Sequence, residues 1–190
     1  MVQNVNLTNH FLIAMPSMAD DNFSRSLVYV AEHNEEGALG IIVNRPLELS
    51  VKELLERVEI TPQAEGLDTA PVFFGGPVQT DRGFVLHRPI GGWQSSLQVT
   101  AEIALTSSKD ILQALAESGE PRDVLITLGY SGWSAGQLED ELKRKAWLTH
   151  PASLELVFDA QPEQLWQRIL RQKGWQYQLL SQMPEDPSVN

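Results

Sequence analysis

Residues 132–136, Gly132-Trp133-Ser134-Ala135-Gly136, match the G-x-S-x-G pattern that sets a serine nucleophile on a sharp strand-to-helix turn. Such a serine needs a histidine and an acid, supplied in the order Ser, acid, His in the hydrolase fold that uses this turn. Here His150 precedes Asp159, and Asp140 shares the helix that Ser134 opens. The same letters also spell Ser134-Ala135-Gly136-Gln137, an S-x-x-Q capping box, with Leu138 and Leu142 following on one helical face. Capping is the simpler reading. It predicts that Gly129 and Tyr130 end the preceding strand, and no catalytic residue is assigned.

Other chemistry-bearing residues are scattered. His10, His33, His87 and His150 show no H-x-x-x-H or H-E-x-x-H spacing, and the chain has no cysteine, so neither a metal site nor a thiolate nucleophile is expected. Gly75-Gly76-Pro77 precedes no Lys-Ser or Lys-Thr, which leaves a positive-φ turn rather than a phosphate cradle; no cofactor is expected. Asp20-Asp21 reads as a cap toward Phe23. Fourteen Lys plus Arg against 25 Asp plus Glu give a net charge of −11, which repels polyanions. The basic runs Lys143-Arg144-Lys145 and Arg168, Arg171, Lys173 close helices and suit the macrodipole, so direct nucleic-acid binding is not expected.

These residues need a frame. A length of 190 residues with 42% hydrophobic content fits one domain, expected over 1–183, with a mobile polar tail at 184–190. No apolar run approaches a membrane span, and the N-terminal residues lack the regions of a signal peptide, so a cytoplasmic monomer with no membrane contact is expected. Strands are expected at Phe11 to Met15, Leu27 to Val30, Ile41 to Val43, Val72 to Phe74, Gly83 to His87, Leu97 to Val99, Ile103 to Leu105, Val124 to Leu128 and Leu154 to Phe158. Gln79 to Arg82 reads as the link between two of them. Helices follow the capping box at Ser50 and Glu53, an S-x-x-D cap at Ser107 and Asp110 that leads to a stop at Gly119, Ser134, and Pro162. Many strands with interspersed helices give an α/β or α+β architecture around a mixed sheet.

Several segments together resemble the bacterial YqgE/AlgH family. They are His10 to Pro16, Glu32-His33-Asn34 with Gly37 to Gly40 and Asn44-Arg45-Pro46, Gly75 to Val78, Asp81 to Phe84 with His87, Leu128 to Trp133 with Gly136 to Glu139, and Trp147-Leu148. The resemblance implies a single-domain sandwich with a bifurcated, barrel-like mixed sheet and flanking helices, a cytosolic bacterial protein, and no established biochemical activity. Family members are often labelled transcriptional regulators for effects on exopolysaccharide (alginate) production. Two departures matter: Ala31 stands where similar chains often carry Cys, and Lys145 where an Asn is common.

The leading expectation is a non-enzymatic protein that binds an unknown protein or small-molecule partner on a shallow apolar cleft and regulates indirectly. A hydrolase-type enzyme and an exopolysaccharide regulator are the alternatives. Arg82, Phe84, Tyr130, Trp133 and Trp147 are the candidate binding residues, because aromatics at strand ends and loops combine an apolar body with a polar handle. Core and rim packing is the competing reading of the same aromatics. The two glycine-rich stretches around Gly76 and Gly129 are expected to lie side by side, with Arg82 at the rim, unless Arg82 simply pairs with Asp81 or Glu139.

Overall fold

The computed structural model describes residues 5–159 and 161–174. The tail expected at 184–190 and the domain limit at 183 lie outside the described residues. β1 (His10–Ala14), β2 (Leu27–Asn34) and β3 (Gly37–Ile42) are the β-branched runs, paired antiparallel in succession. β4 (Pro46–Ser50) leads into α1 (Val51–Arg57) through the expected capping box. The Glu53 amide donates to Ser50 Oγ at 3.1 Å, and the Ser50 amide donates to Glu53 Oε2 at 2.8 Å. β5 (Pro71–Phe74), β6 (Val78–Arg88), β7 (Ser96–Gln98) and β8 (Ala104–Thr106) follow, then α2 (Lys109–Ser118), which ends at Gly119. β9 (Asp123–Ser134), α3 (Gln137–Lys143), β10 (Trp147–Pro151), α4 (Leu154–Val157), a 3-10 turn at Pro162–Gln164 and α5 (Leu165–Lys173) complete the order.

Four local expectations are corrected. Gln79 to Arg82 is not a link but part of β6, which runs 11 residues with an irregularity between Val78 and Gly83. Leu154 to Phe158 is helical: Ser153 Oγ accepts from the Leu156 amide and caps a turn that a short apolar run alone does not distinguish from a strand. At α2 the N-cap is Ser108, whose hydroxyl donates to Asp110 Oδ1 instead of capping the helix. Asp20 Oδ1 accepts from the Asn22 and Phe23 amides in a turn, with no helix after it.

The strands form one curled, forked sheet in the order β10-β1-β2-β3-β9-β6-β8-β7, with β5 pairing β4 and β9 off that path. The fork lies in β9. Thr127 is paired antiparallel with Phe84 of β6 and parallel with Phe73 of β5, so β5 and β6 occupy opposite edges of the same strand. Beyond Tyr130, β3 takes over the edge that β5 leaves. The Gly75-Gly76-Pro77 link therefore carries the chain across β9 from one edge to the other. A Cβ on Gly76 would lie 2.2 Å from the Tyr130 carbonyl, and one on Gly129 would lie 2.3 Å from the Gly76 oxygen. Only glycine permits that approach. Gly75 closes the fork, its amide donating to Leu128 O at 2.8 Å and its carbonyl accepting from the Ile42 amide and the Ser131 hydroxyl.

Side-chain alternation gives each sheet face its own core. Phe11, Ile13, Leu27, Tyr29, Ile41, Phe84 and Leu86 meet Val157, Leu165, Trp166, Ile169 and Leu170 of α4 and α5 on one face. Trp166 is fixed there by its indole N–H, which donates to Ala14 O at 2.9 Å. On the opposite face, α1 and α2 cover Val72, Val85 and Ile126. Leu138 of α3 and Phe23 cover Leu12, Val28, Val30 and Ile42. The result is a mixed α+β sandwich with a half-barrel sheet. No helix among the described residues is long and apolar enough to cross a membrane.

Two outcomes follow from these contacts. Gly76→Ala should cost at least about 3 kcal/mol of stability, because a Cβ meets backbone that cannot move without opening the fork. Gly83→Ala, with open space around its Cβ, should change stability by no more than about 0.5 kcal/mol. Denaturant midpoints check both, and equal losses would refute the crossing as a steric constraint. The second outcome concerns pH. Burial holds the His87 imidazole below its usual range despite its bond to Pro89 O, and burial, Lys173 and His10 lower His150 likewise. The unfolded chain takes up protons at these side chains below about pH 6.5 that the folded chain resists. Stability present above that pH should therefore fall as the pH drops toward about 5. His87→Asn should remove part of the decline in urea midpoints, and an unaltered decline would refute the assignment to His87.

Candidate functional site

Ser134 is the last residue of β9 rather than the first of a helix. Strand pairing continues through Gly129 and Tyr130, with Gly132 opposite Leu39 and Ser134 opposite Gly37, so the strand end expected at Gly129-Tyr130 is corrected. The N-cap of α3 is Gly136, and no side chain caps it. Half of the expected box survives: Gln137 reaches back, and its Oε1 accepts from the Ser134 amide at 3.0 Å and from the Ser134 hydroxyl at 3.3 Å. Ser134 Oγ thus donates to an amide oxygen, which cannot serve as its base.

The five candidate binding residues separate into two groups. Arg82 is exposed on β6; its guanidinium donates to Gln79 Oε1 and Ser107 Oγ and lies 5.5 Å above the Phe84 ring. Phe84 meets Tyr130 edge to face at 5.3 Å. Arg82 pairs with neither Asp81 nor Glu139, and among the described residues it forms no ion pair. Trp133 and Trp147 lie on the other face, 6% and 4% exposed, with centroids 6.1 Å apart and Phe23 packed against both. Tyr130 and Trp133 stand inside β9, so the loop expected from Gly129 to Trp133 is corrected, whereas Trp147 opens β10 and lies at a strand end as expected. The glycine stretches around Gly76 and Gly129 do lie side by side.

The alternation along β9 explains the division. Leu125 faces the α4–α5 core and Ile126 the opposite one, yet Tyr130, an even residue, returns to the α4–α5 core. Gly129, at φ 76, shifts the phase between them, and Trp133 is thereby turned to the α3 side.

A further constellation was not apparent in the residue spacing. His33 and Glu139 are 106 residues apart in sequence, and Nε2 of the histidine lies 2.6 Å from Glu139 Oε1. An extra residue in β2, between Val30 and Glu32, reverses the alternation and turns His33 toward α3. The Leu7 amide donates to His33 Nδ1 at 3.0 Å, so that nitrogen carries the lone pair and Nε2–H donates to the carboxylate. The contact is a hydrogen bond from a neutral imidazole. Burial alone would raise the Glu139 carboxyl, but its own backbone N–H, the His33 bond and Lys143 hold it below the usual carboxylate range. An open pocket of about 220 Å³ adjoins the pair, lined by Val5, Asn6, His33, Asn34, Glu35 and Glu139. The only signal available in the sequence was that Glu32-His33-Asn34 and Gly136 to Glu139 both carry the family resemblance. Among the described residues, no group of three His, Asp or Glu side chains could hold a metal ion.

A forked, curled sheet with helices on both faces and a glycine crossing at its branch defines an α+β sandwich protein of one architectural class. Residues 11–178 match the AlgH-like family, and the chain belongs to it. It is similar to the UPF0301 protein of Azoarcus sp., 57% identical over 95% of this chain and 96% of that one. The UPF0301 protein of Dechloromonas aromatica is 53% identical over 95% and 97% of the two chains. The solution structure of the AlgH protein from Pseudomonas aeruginosa superimposes with a TM-score of 0.78 at 42% identity, covering 97% of this chain and 98% of that one. Protein DIP2367 of Corynebacterium diphtheriae, at 19% identity and a TM-score of 0.70, shares the fold over 96% of this chain and 95% of its own.

The geometry at Ser134 predicts an asymmetry. Gln137→Ala, which frees the Ser134 amide and removes the contact that closes the strand-to-helix turn, should cost about 1 kcal/mol. Ser134→Ala should cost less than about 0.5 kcal/mol, as expected for an exposed hydroxyl with a partner replaceable by water. Chemical denaturation of both variants checks this, and a larger loss for Ser134→Ala would restore the hydroxyl as the cap.

Proposed function

We propose that this AlgH-like protein acts by binding, and that its partner, a protein segment or small ligand, presents a carboxylate to Arg82 on the Phe84–Tyr130 wall. The supporting observation is that the Arg82 guanidinium is exposed, carries no ion pair among the described residues, and is held over an aromatic face by Gln79 and Ser107. A guanidinium so held has lost little freedom left to lose on binding, and its planar fork suits a carboxylate. Half-buried Tyr130 supplies the apolar body of the contact, and buried Phe84 backs it edge to face. Trp133 acts from behind, its packing on Trp147 fixing the end of β9, the strand that carries Tyr130.

The protein then works in the cytoplasm as a monomer that turns over no substrate. Any regulatory effect, including one on exopolysaccharide production, passes through the bound partner. A net charge of −11 opposes direct contact with DNA. Affinity capture from native cytosol, with native mass spectrometry to detect small adducts, should show a partner whose retention falls at least about tenfold in Arg82→Ala and in Tyr130→Ala. Both variants should keep the wild-type circular dichroism. Undiminished retention by the folded variants would overturn the proposal, as would an esterase turnover abolished by Ser134→Ala.

A further inference from the structure

We propose that the pocket beside His33 and Glu139 is a binding site for a small organic cation, an alkylammonium or alkylguanidinium group. The site uses residues other than the Arg82 wall and does not rest on the function proposed for it.

The proton on His33 sits on Nε2. The Leu7 amide has a fixed hydrogen and points it at Nδ1, so the imidazole is neutral while that bond stands. Its Nε2–H then orients the Glu139 carboxylate without neutralising it. A histidine–carboxylate contact of 2.6 Å would ordinarily count as an ion pair, with the charge cancelled. Here the histidine orients the carboxylate through Nε2–H, and Lys143, one turn along α3, is a cation that also acts on it. Both imidazole nitrogens are engaged, which excludes His33 as a base and leaves it as the positioning residue for Glu139.

Beyond the His33 bond and its own backbone N–H, the Glu139 carboxylate accepts no further hydrogen bond among the described residues, and the side chain is 38% exposed beside the pocket. Glu35 adds a second carboxylate to the lining, and no Lys or Arg lines it among the described residues. Asn34 is occupied, its amide donating to Glu32 and its oxygen accepting from the Glu36 amide, so the charged side chains of the described lining are Glu35 and Glu139. Val5 gives the wall an apolar surface. A volume of about 220 Å³ corresponds to about seven water-sized volumes, below the range of drug-sized pockets. It suits a cationic head with a short alkyl stem. A carboxylate already fixed by a buried donor loses no orientational freedom when such a head binds, and the hydrogen bonds formed are charge-assisted.

The full-length protein, labelled with nitrogen-15, would be titrated with n-butylammonium, n-butylguanidinium and butyrate. Either cation should produce saturable shifts at the Leu7, His33, Asn34 and Glu139 amides, and butyrate none. Glu139→Gln keeps an oxygen for His33 Nε2–H while removing the charge, and should weaken cation binding about tenfold. Glu35→Gln should weaken it severalfold. Glu56→Gln, an exposed acid on α1, and Arg82→Ala should leave it unchanged. Shifts that do not saturate, that butyrate reproduces, or that survive in Glu139→Gln would mean only diffuse attraction to an acidic protein, and would overturn the site. Should Glu139→Gln fail to fold, undiminished binding by folded Glu35→Gln would overturn it equally.

Discussion

The chain must cross β9 between Phe74 and Val78, and the rest of the architecture depends on that crossing. Strands normally keep neighbours at the spacing of the backbone hydrogen bonds and pass over one another only through long connections. Here three residues suffice, because Gly75, Gly76 and Gly129 remove the side chains that would hold the two backbones apart. The close approach is stabilised by polar bonds rather than by apolar burial. The amide and carbonyl of Gly75 bind three residues on two strands, Leu128 and Ser131 of β9 and Ile42 of β3, so strands distant in sequence are joined at one residue. Buried backbone groups are costly to leave unpaired, and the fork satisfies its own.

Once the sheet forks, it cannot be covered by a single layer. The β5–β9–β6 arm takes α1 and α2, the β1–β3 arm takes α3 and the Phe23 turn, and α4 with α5 fill the concave side common to both. Two local irregularities then decide which side chains reach which layer. Gly129 shifts the phase of β9, so that Tyr130 joins Phe84 while Trp133 joins Trp147. The extra residue near Ala31 shifts the phase of β2, so that His33 meets Glu139. Each moves a side chain from one face to the other without moving the strand, as expected of a period of two.

What could be read in the sequence was what short segments determine alone. The Ser50–Glu53 capping box and the stop at Gly119 each depend on residues within a few positions, and both are present. The extent of β6 and β9 was not legible. Gln79 to Arg82 is polar because it is exposed on the strand, and Gly129 looks like a terminator when it is a change of phase. The G-x-S-x-G letters misled for a related reason: Gly132 lies within the ladder, Gly136 supplies the N-cap, and the serine between them belongs to neither. The His33–Glu139 pair was beyond reach of spacing rules, because the bulge that creates it has no fixed sequence signature.

The electrostatics of the two surfaces follow from the same geometry. An acidic chain usually disperses its carboxylates in water or pairs them, and the Arg88–Asp123 and Arg168–Asp159 contacts do the latter. Arg82 and Glu139 are instead hydrogen-bonded to uncharged partners, as Glu141 is to the Trp133 indole: Gln79 and Ser107 for one and His33 for the other. A neutral donor or acceptor fixes the direction of a charge without cancelling it, whereas a counter-ion fixes and cancels together. The Leu7 amide is what keeps His33 in the first category, since a second proton on the imidazole would require breaking that bond. The N-terminal segment therefore does more than extend the hydrophobic core through Leu7: by occupying Nδ1, it sets the charge that the pocket presents.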